Sequence, residues 1–152
     1  SDLSVVTQDS LLSNSHLFAP LDRLEDRSCS YDPRLDLAYA ASILASKVKA
    51  AAILVFTRSG TYTKLVASTR PRCPIISFAP DESLVRRLTI LWGVQAYRID
   101  LDDHDPEETS ANAIEFLKKQ NLTSPNDLLV LTSDMLTRGN GKVNSIQVRR
   151  VR

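Results

Sequence analysis

The chain has 152 residues, of which 43% are hydrophobic and 24% charged, and its 19 Lys+Arg against 18 Asp+Glu give a net charge of +1. This length suits one domain with its own core, and the composition excludes a disordered or fibrous chain. Because a net charge near zero gives no overall field to attract nucleic acid or an anionic membrane, we expect neither as a partner.

The cysteine and histidine content indicates a reducing compartment. Two cysteines, Cys29 and Cys73, are too few for a disulfide framework, and two histidines allow no zinc-ligand spacing. No apolar run approaches the roughly 18 residues of a membrane span, and the N-terminal region lacks the basic start and apolar block of a secretory signal. We therefore expect a cytoplasmic location.

The N-terminal part of the chain shows weak periodicity until a first predicted helix. Residues 1–33 are rich in Ser, Asp and Leu, and we interpret them as an arm or connector. Asp32 and Pro33 then supply a capping residue and the proline favoured in a first helical turn. Because apolar residues recur at the spacing of one helical face, the sequence predicts a helix over residues 34–49, at the start of an α/β domain over residues 34–152. The residues of that face are Leu37, Ala41, Leu44 and Val48.

Short apolar runs and helical patterns alternate through the rest of the chain. The runs typical of strands covered on both faces are AAILVF (51–56), CPIISFA (73–79) and DLLVLTS (127–133). The segments that predict helices are TYTKLVAST (61–69), ESLVRRLTILW (82–92) and EETSANAIEFLKKQ (107–120). A further strand is predicted by the alternation in VQAYRID (94–100).

Capping residues and a terminal strand complete the predicted fold. Asp81 and Asp105 precede two helices as caps, with Pro106 in the first turn of the second, and Gly93 is predicted to end the helix that Asp81 begins. Because Trp92 lies at the end of that helical face, we expect its side chain to pack in a core or an interface. The segment NSIQVRRV alternates and follows RGNG, which predicts an antiparallel edge strand. We therefore predict an α/β fold with three αβα layers, a mostly parallel sheet of about five strands with an antiparallel C-terminal edge strand, and helices on both faces.

A hydroxyl-rich turn follows the first predicted strand and comprises Thr57, Arg58, Ser59, Gly60 and Thr61. Ligands of open α/β sheets bind at such carboxyl ends of strands. Helix amides, hydroxyls, a guanidinium and a glycine that permits close approach would suit a phosphate. The turn has neither the Gly-Lys-Ser/Thr ending of a nucleotide-hydrolase phosphate loop nor the three-glycine dinucleotide fingerprint. A phosphate cradle and an ordinary helix cap after a tight turn both remain open.

Other polar residues predict no catalytic or metal site. His16 and His104 have no nearby serine or cysteine set as a nucleophile, so we expect no hydrolytic triad. Asp102, Asp103 and Asp105 lack the alternating pattern, glycine and closing glutamate of a calcium loop, and helix capping in a solvated loop explains them.

Taken together, several segments resemble the C-terminal domain of the pyruvate kinase family. The stretch TRSGTYTKLVASTRPRCPI is similar to the family's Thr-x-Ser-Gly, helix and Arg-Pro-x-x-Pro-Ile series. VRRLTILWGV resembles its Arg-x-Leu-x-Leu-x-x-Gly-Val, and NDLLVLT with GNGKVNSIQV resembles its ending. The resemblance covers residues 34–151.

The resemblance implies a domain that is non-catalytic by itself. In the family, phosphoryl transfer between phosphoenolpyruvate and ADP, with its magnesium and potassium sites, belongs to a barrel domain and a mobile lid. No Lys, Glu or Asp here matches the motifs of those domains, so we expect this chain to hold no cofactor and to lack turnover alone. The family's C-terminal domain supplies a subunit interface of a tetramer and, in many members, a pocket for a phosphorylated effector. The implied partners are such an effector, the remaining pyruvate kinase domains and further copies in a homo-oligomer.

The resemblance also implies which residues hold the effector. Residues 57–61 fall where the family binds an effector phosphate. Lys64 and, in the late loop, Arg138 and Lys142 complete the candidate effector-binding residues.

Two departures from the family pattern bear on this site. Tyr62 stands where effector-regulated members often carry a small hydroxyl residue, so we expect its phenol to crowd the pocket. Asp134 places an acid near any bound anion, and Arg138 and Lys142 would offset it. The segment 101–116 offers no Trp or Arg for a second phosphate, which favours a monophosphate effector, or none, over a bisphosphate.

Two other classes of function stay open. One is a free-standing small α/β protein that binds a phosphate or nucleotide, because a fold does not fix a function. The other is an interaction module with a degenerate pocket, which Tyr62 and Asp134 favour.

Overall fold

A computed structural model describes residues 32–102, 105–134, 136–137, 141–142 and 144–152. The chain divides into two units, residues 1–32 and 33–152, and the account below concerns the second unit. The predicted arm therefore stays a prediction, because it lies almost entirely outside the described residues. Other residues of the sequence analysis that lie outside them are His16, Cys29, Asp103, His104 and Arg138.

Helices and strands alternate along the described chain as the sequence predicts. In order they are α1 (Arg34–Val48), β1 (Ala52–Phe56), α2 (Thr61–Ser68), β2 (Ile75–Ala79), α3 (Glu82–Leu88), β3 (Val94–Arg98), α4 (Pro106–Lys119), β4 (Leu128–Ser133), β5 (Leu136–Thr137), β6 (Gly141–Lys142) and β7 (Ser145–Arg150). None of the helices in the described part of the chain has both the length and the apolar character needed to cross a membrane.

Five strands form one sheet in the order β3-β2-β1-β4-β7. The first four are parallel to one another, and β7 pairs antiparallel with β4 at the edge. The predicted sheet, with its antiparallel C-terminal edge strand, is therefore confirmed. The small antiparallel pair of β5 and β6 was not predicted, because two residues per strand leave no alternation to detect.

Helices cover both faces of the sheet because the chain adds strands first on one side of β1 and then on the other. It passes from β1 through α2 to β2 and through α3 to β3, and then returns through α4 to β4 on the other side of β1. Since crossovers between parallel strands are right-handed, this reversal places α4 on the face opposite to α2 and α3. The three-layer αβα architecture follows from this constraint.

Successive strand residues face the two helical layers in turn. Ile53 and Val55 of β1 lie in a cluster with α1 and α2, whereas Leu54 and Phe56 lie in a second cluster with α4. All five residues of β1 are buried, which explains its unbroken apolar sequence. The helix residues that complete the two clusters are Ala38, Ala41, Ala45, Tyr62 and Val66 on one face and Ala113 and Leu117 on the other.

Two of the predicted helix caps are present. A carboxylate oxygen of Asp81 accepts from the Ser83 N–H at 3.2 Å, and one of Asp105 accepts from the Glu108 N–H at 2.9 Å. Each carboxylate thereby satisfies a backbone donor that the helix itself leaves without an acceptor.

Two predicted helix ends are wrong. Pro33, not Asp32, holds the N-cap position of α1, and the Pro33 carbonyl accepts from the Leu37 N–H at 2.9 Å. The third helix ends at Leu88, with Thr89 as its C-cap, rather than at Gly93. The Thr89 hydroxyl donates to the Arg86 carbonyl at 2.7 Å, so a side chain takes over a bond at the helix end.

Gly60 joins β1 to α2 at a position that only glycine suits. Its φ is +85°, and a Cβ built there would lie 2.8 Å from Leu84 Cδ1 and 3.2 Å from Leu88 Cδ2. The absence of a side chain thus allows α3 to pack against the start of α2.

We expect Gly60→Ala to lower the free energy of unfolding by about 2–3 kcal/mol, through backbone strain and displacement of Leu84. Gly93→Ala is the matched control, because Gly93 has φ +73° but a Cβ there meets nothing within 4 Å. Its expected cost is about 1 kcal/mol, from strain alone. Urea unfolding measures both, and equal losses would contradict the close packing of α3 on the turn.

Candidate functional site

The candidate site lies where the sheet changes its winding direction. The chain leaves β1 towards β2 on one side, and β4 lies on the other side of β1 with Phe56 opposite Ser133. After β4 the chain continues to β7, on the side away from β1, so the connections that follow β1 and β4 diverge at the carboxyl ends of these strands. Such a switch point is where open α/β sheets bind ligands. The turn 57–61 and the end of β4 meet there.

The turn after β1 has a buried base and an exposed rim. Thr57 is fully buried, and its hydroxyl oxygen accepts from the Gly60 N–H at 2.9 Å. Ser59 and Thr61 are exposed; the Ser59 hydroxyl donates to Thr61 Oγ1 at 3.3 Å and accepts from the Thr61 N–H at 3.4 Å. Thr57 thus shapes the turn, while Ser59 and Thr61 present hydroxyls to solvent.

The start of α2 lies at the same place. The first N–H with a helical acceptor is that of Lys64, which donates to the Gly60 carbonyl at 3.1 Å. Among the described residues, none accepts a hydrogen bond from the Tyr62 or Thr63 N–H. Both residues are fully buried, so these two amides do not reach solvent, and the start of α2 favours an anion through its helix dipole.

The candidate cations occupy different positions. Arg58 is exposed, and its guanidinium Nη2 donates to the Leu101 carbonyl at 3.2 Å, which ties the turn to the loop after β3. Lys64 is exposed on α2, one turn from its start. Arg138 lies outside the described residues, and Lys142 is described only as part of the β6 backbone. The structure therefore brings Arg58 and Lys64 next to the turn and does not test the other two.

Tyr62 does not crowd the turn as expected. Its side chain is fully buried in the core between α1 and the sheet, where a deep apolar cluster accepts a large ring. Its hydroxyl lies 2.6 Å from Thr132 Oγ1, and the Thr132 hydroxyl donates to the Ser145 carbonyl at 2.9 Å. Because a hydroxyl has one proton to donate, Tyr62 is the donor in the first of these bonds.

The acid at the end of β4 is paired. Asp134 has a side chain that is 8% exposed, and its Oδ2 lies 3.5 Å from Nη1 of Arg34, the first residue of α1. The sequence analysis missed Arg34, although α1 leads directly into β1 and must therefore begin near the carboxyl edge. It also missed Thr132 and Ser145, because only the β4–β7 register reveals that they meet.

The described residues contain no cluster of metal-ligating side chains. In residues 32–102 and 105–134 and the described parts of the C-terminal segment, no three His, Cys, Asp or Glu side chains are grouped to hold a metal ion.

The fold defines an open three-layer α/β domain with a switch point between β1 and β4. The family model described as "Pyruvate kinase, alpha/beta domain" matches residues 36–149. The chain therefore belongs to the pyruvate kinase family, through its C-terminal α/β domain, and the resemblance in the sequence is confirmed.

Relatives and solved structures agree with this assignment. Pyruvate kinase isozyme A, chloroplastic, from Nicotiana tabacum is 31% identical over 116 residues, which are 76% of this chain and 18% of that protein. A pyruvate kinase from Agrobacterium vitis is 27% identical over 131 residues, which are 86% of this chain and 27% of that protein. The structure of Cryptosporidium parvum pyruvate kinase in complex with ADP has a TM-score of 0.72 at 24% identity and shares the fold over 80% of this chain and 24% of that one. The chain thus spans about a fifth to a quarter of these proteins.

Burial of Tyr62 gives the domain a pH-dependent stability. Burial raises the pKa of the Tyr62 phenol from 10.0 to about 12, against the lowering effect of the Thr132 hydrogen bond, and the charge of Asp134 raises it further. The unfolded chain thus loses this proton at a lower pH than the folded chain. The stabilisation is complete below pH 10 and is lost as the pH rises towards 12.

We compare the free energy of unfolding of the unsubstituted chain with that of Tyr62→Phe at several pH values. Between pH 9 and pH 11 we expect the difference to change by about 1 kcal/mol, against the unsubstituted chain. Tyr39→Phe is the matched control, because the Tyr39 side chain is 51% exposed. Denaturant unfolding at each pH measures the differences. A Tyr62→Phe difference that stays constant would contradict the buried, protonated phenol.

Proposed function

We propose that this domain binds a phosphorylated effector in the turn 57–61 and contributes subunit contacts to a pyruvate kinase. The turn, together with the start of α2, is called the phosphate cradle below. The observation that supports it most is the buried Thr57–Gly60 hydrogen bond, which holds the exposed Ser59 and Thr61 hydroxyls at the start of α2, beside the switch point.

The donors of the cradle suit a phosphate. Its oxygens would accept from the exposed Ser59 and Thr61 hydroxyls at the start of the helix, while Arg58 adds positive charge beside them. No proton or covalent bond needs to move in this binding. The role is therefore equilibrium regulation, which requires that two states of the assembly bind the effector unequally.

The charges around the cradle favour a single phosphate. Asp134 lies at the neighbouring strand end, and its partner Arg34 balances its charge. The described part of α4, residues 106–119, contains no Trp or Arg that could hold a second phosphate. A monophosphate therefore fits these residues better than a bisphosphate.

Exposed apolar side chains support packing against other pyruvate kinase domains or copies. On α1, residues spaced by four present an apolar stripe, and beyond α3 the side chains of Ile90 and Trp92 are 84% and 72% exposed. Surfaces of this kind mark sites of protein contact. Conversion of phosphoenolpyruvate and ADP, with magnesium and potassium, would belong to the domains so assembled. The residues of the α1 stripe are Leu35, Tyr39 and Ile43.

A rival role is an interaction module whose pocket binds nothing. Asp134 favours this role, because its negative charge repels an anion. Tyr62 no longer favours it, because its side chain is buried in the core and does not crowd the turn. The cytoplasmic location stays a prediction, since the tobacco relative is chloroplastic by name.

The cradle predicts phosphate binding that a nearby negative charge abolishes. We expect inorganic phosphate, AMP or a sugar phosphate to release or take up heat on titration into the chain, with a Kd of about millimolar or lower. Ser59→Asp should weaken this binding at least about tenfold, because the new carboxylate faces the anion.

Ser124→Asp is the charge-matched control. Ser124 is exposed and precedes β4, so it lies at the amino end of the parallel strands, away from the cradle. Equal weakening by both substitutions would indicate a general charge effect. No heat with any ligand would favour the interaction module.

A further inference from the structure

The first helix, α1, is apolar on its outer side as well as on the side that packs on the sheet. Its inner side is a row of buried alanines. On its outer side the side chains of Leu35, Tyr39 and Ile43 are 39%, 51% and 51% exposed. A surface helix presents polar residues there, whereas a helix that is apolar all round is normally buried. The composition of α1 therefore indicates that another protein surface covers its outer side.

The fourth helix, α4, shows the pattern of an ordinary surface helix. It packs on the sheet through Ala113 and Leu117, whereas Glu108, Glu115 and Lys119 on its outer side are exposed. Both helices lie on the same sheet, so the apolar outer side belongs to α1 and not to the layered architecture.

The outer side of α1 carries one charge at each end. Asp36, Ala40, Ile43 and Lys47 are spaced by four, three and four residues, so they form one line along the helix, which we call the outer seam. Asp36 lies in the first turn and Lys47 in the last. Within the described part of the chain, neither side chain takes part in an ion pair or a side-chain hydrogen bond. Both charges can therefore pair with groups of another molecule.

We propose that α1 is a contact between two copies of this chain, whose α1 helices pair antiparallel about a two-fold axis. This inference rests on the proposed subunit contacts and names their surface and partner. In an antiparallel pair, Asp36 of each copy lies opposite Lys47 of the other, so the outer seam is complementary in charge to itself. A parallel pair would place like charges opposite each other and align the two helix dipoles, which disfavours it.

The apolar residues of the seam match in the same arrangement. The midpoint between positions 36 and 47 is also the midpoint between positions 40 and 43. When the charges pair, Ala40 of each copy therefore faces Ile43 of the other, and a small residue opposite a large one lets helix surfaces interdigitate. One register thus satisfies the charges and the apolar side chains together.

The size of this contact predicts a weak dimer for the chain by itself. The 15 residues of α1 span about 22 Å, so two such helices bury less surface than a standard protein interface. We expect a Kd of about 10–100 µM. Sedimentation equilibrium between about 1 and about 500 µM covers this range and should show a monomer and a dimer. A chain that stays monomeric throughout would overturn the inference and indicate that a different protein covers α1.

Charge reversal tests the register. In Asp36→Lys and in Lys47→Glu, like charges face each other at both ends of the seam, so each variant should weaken its own dimer by about tenfold or more. An equimolar mixture of the two variants should dimerise again, because each seam then meets the opposite charges. The double variant Asp36→Lys, Lys47→Glu should also dimerise, which only the antiparallel arrangement allows.

Lys119→Glu is the matched control. Lys119 is exposed in the last turn of α4, as Lys47 is in α1, so both substitutions oppose a helix dipole to the same extent. The control should leave the Kd unchanged. Recovery in the mixture cannot come from misfolding, because it uses the two variants that fail alone.

Two results would separate this inference from the rest of the account. A dimer whose Kd is the same in all the variants would lie elsewhere on the chain and would overturn the pairing of α1. Calorimetry with inorganic phosphate measures the cradle independently of dimerisation, so failure of the phosphate site and failure of the α1 contact give different readings.

Discussion

The turn from Thr57 to Gly60 fixes the position from which α2 begins. The buried Thr57 hydroxyl holds the Gly60 N–H at 2.9 Å, and Gly60 takes a positive φ where a Cβ would strike Leu84. Both conditions bring α2 and α3 close to the carboxyl edge of the sheet. The exposed hydroxyls of Ser59 and Thr61 and the inward direction of the Tyr62 side chain both follow from where this turn ends.

The handedness of the crossovers determines what this turn faces. Because the chain returns through α4 on the opposite face, β4 becomes the neighbour of β1, and its end brings Thr132 and Asp134 beside the cradle. Thr132 then links Tyr62 to Ser145, and Asp134 pairs with Arg34 at the start of α1. The turn 57–61, the start of α1 and the start of β7 thus meet at one edge of the sheet.

Much of the fold could be predicted from the sequence, because β1, β2 and β4 are short apolar runs between capping or turn residues and β3 and β7 show strand alternation. The helix ends were less predictable: the N-cap of α1 is Pro33 and not the acidic residue before it, and Thr89 ends a helix whose apolar pattern continues to Trp92. The turn 57–61 was found from its residue types alone. The direction of the Tyr62 side chain and its bond to Thr132 were not, because they depend on a packing cavity and a strand register that no local pattern encodes.

The central claim is that the cradle binds phosphate, and a two-dimensional amide NMR titration with inorganic phosphate tests it residue by residue. The account predicts that the amides of residues 59–63 shift first and furthest. Changes centred instead on the basic residues 149–152, or no changes at millimolar phosphate, would contradict it. Such a result would assign residues 57–61 to helix capping and leave the domain as a structural contact module of its family.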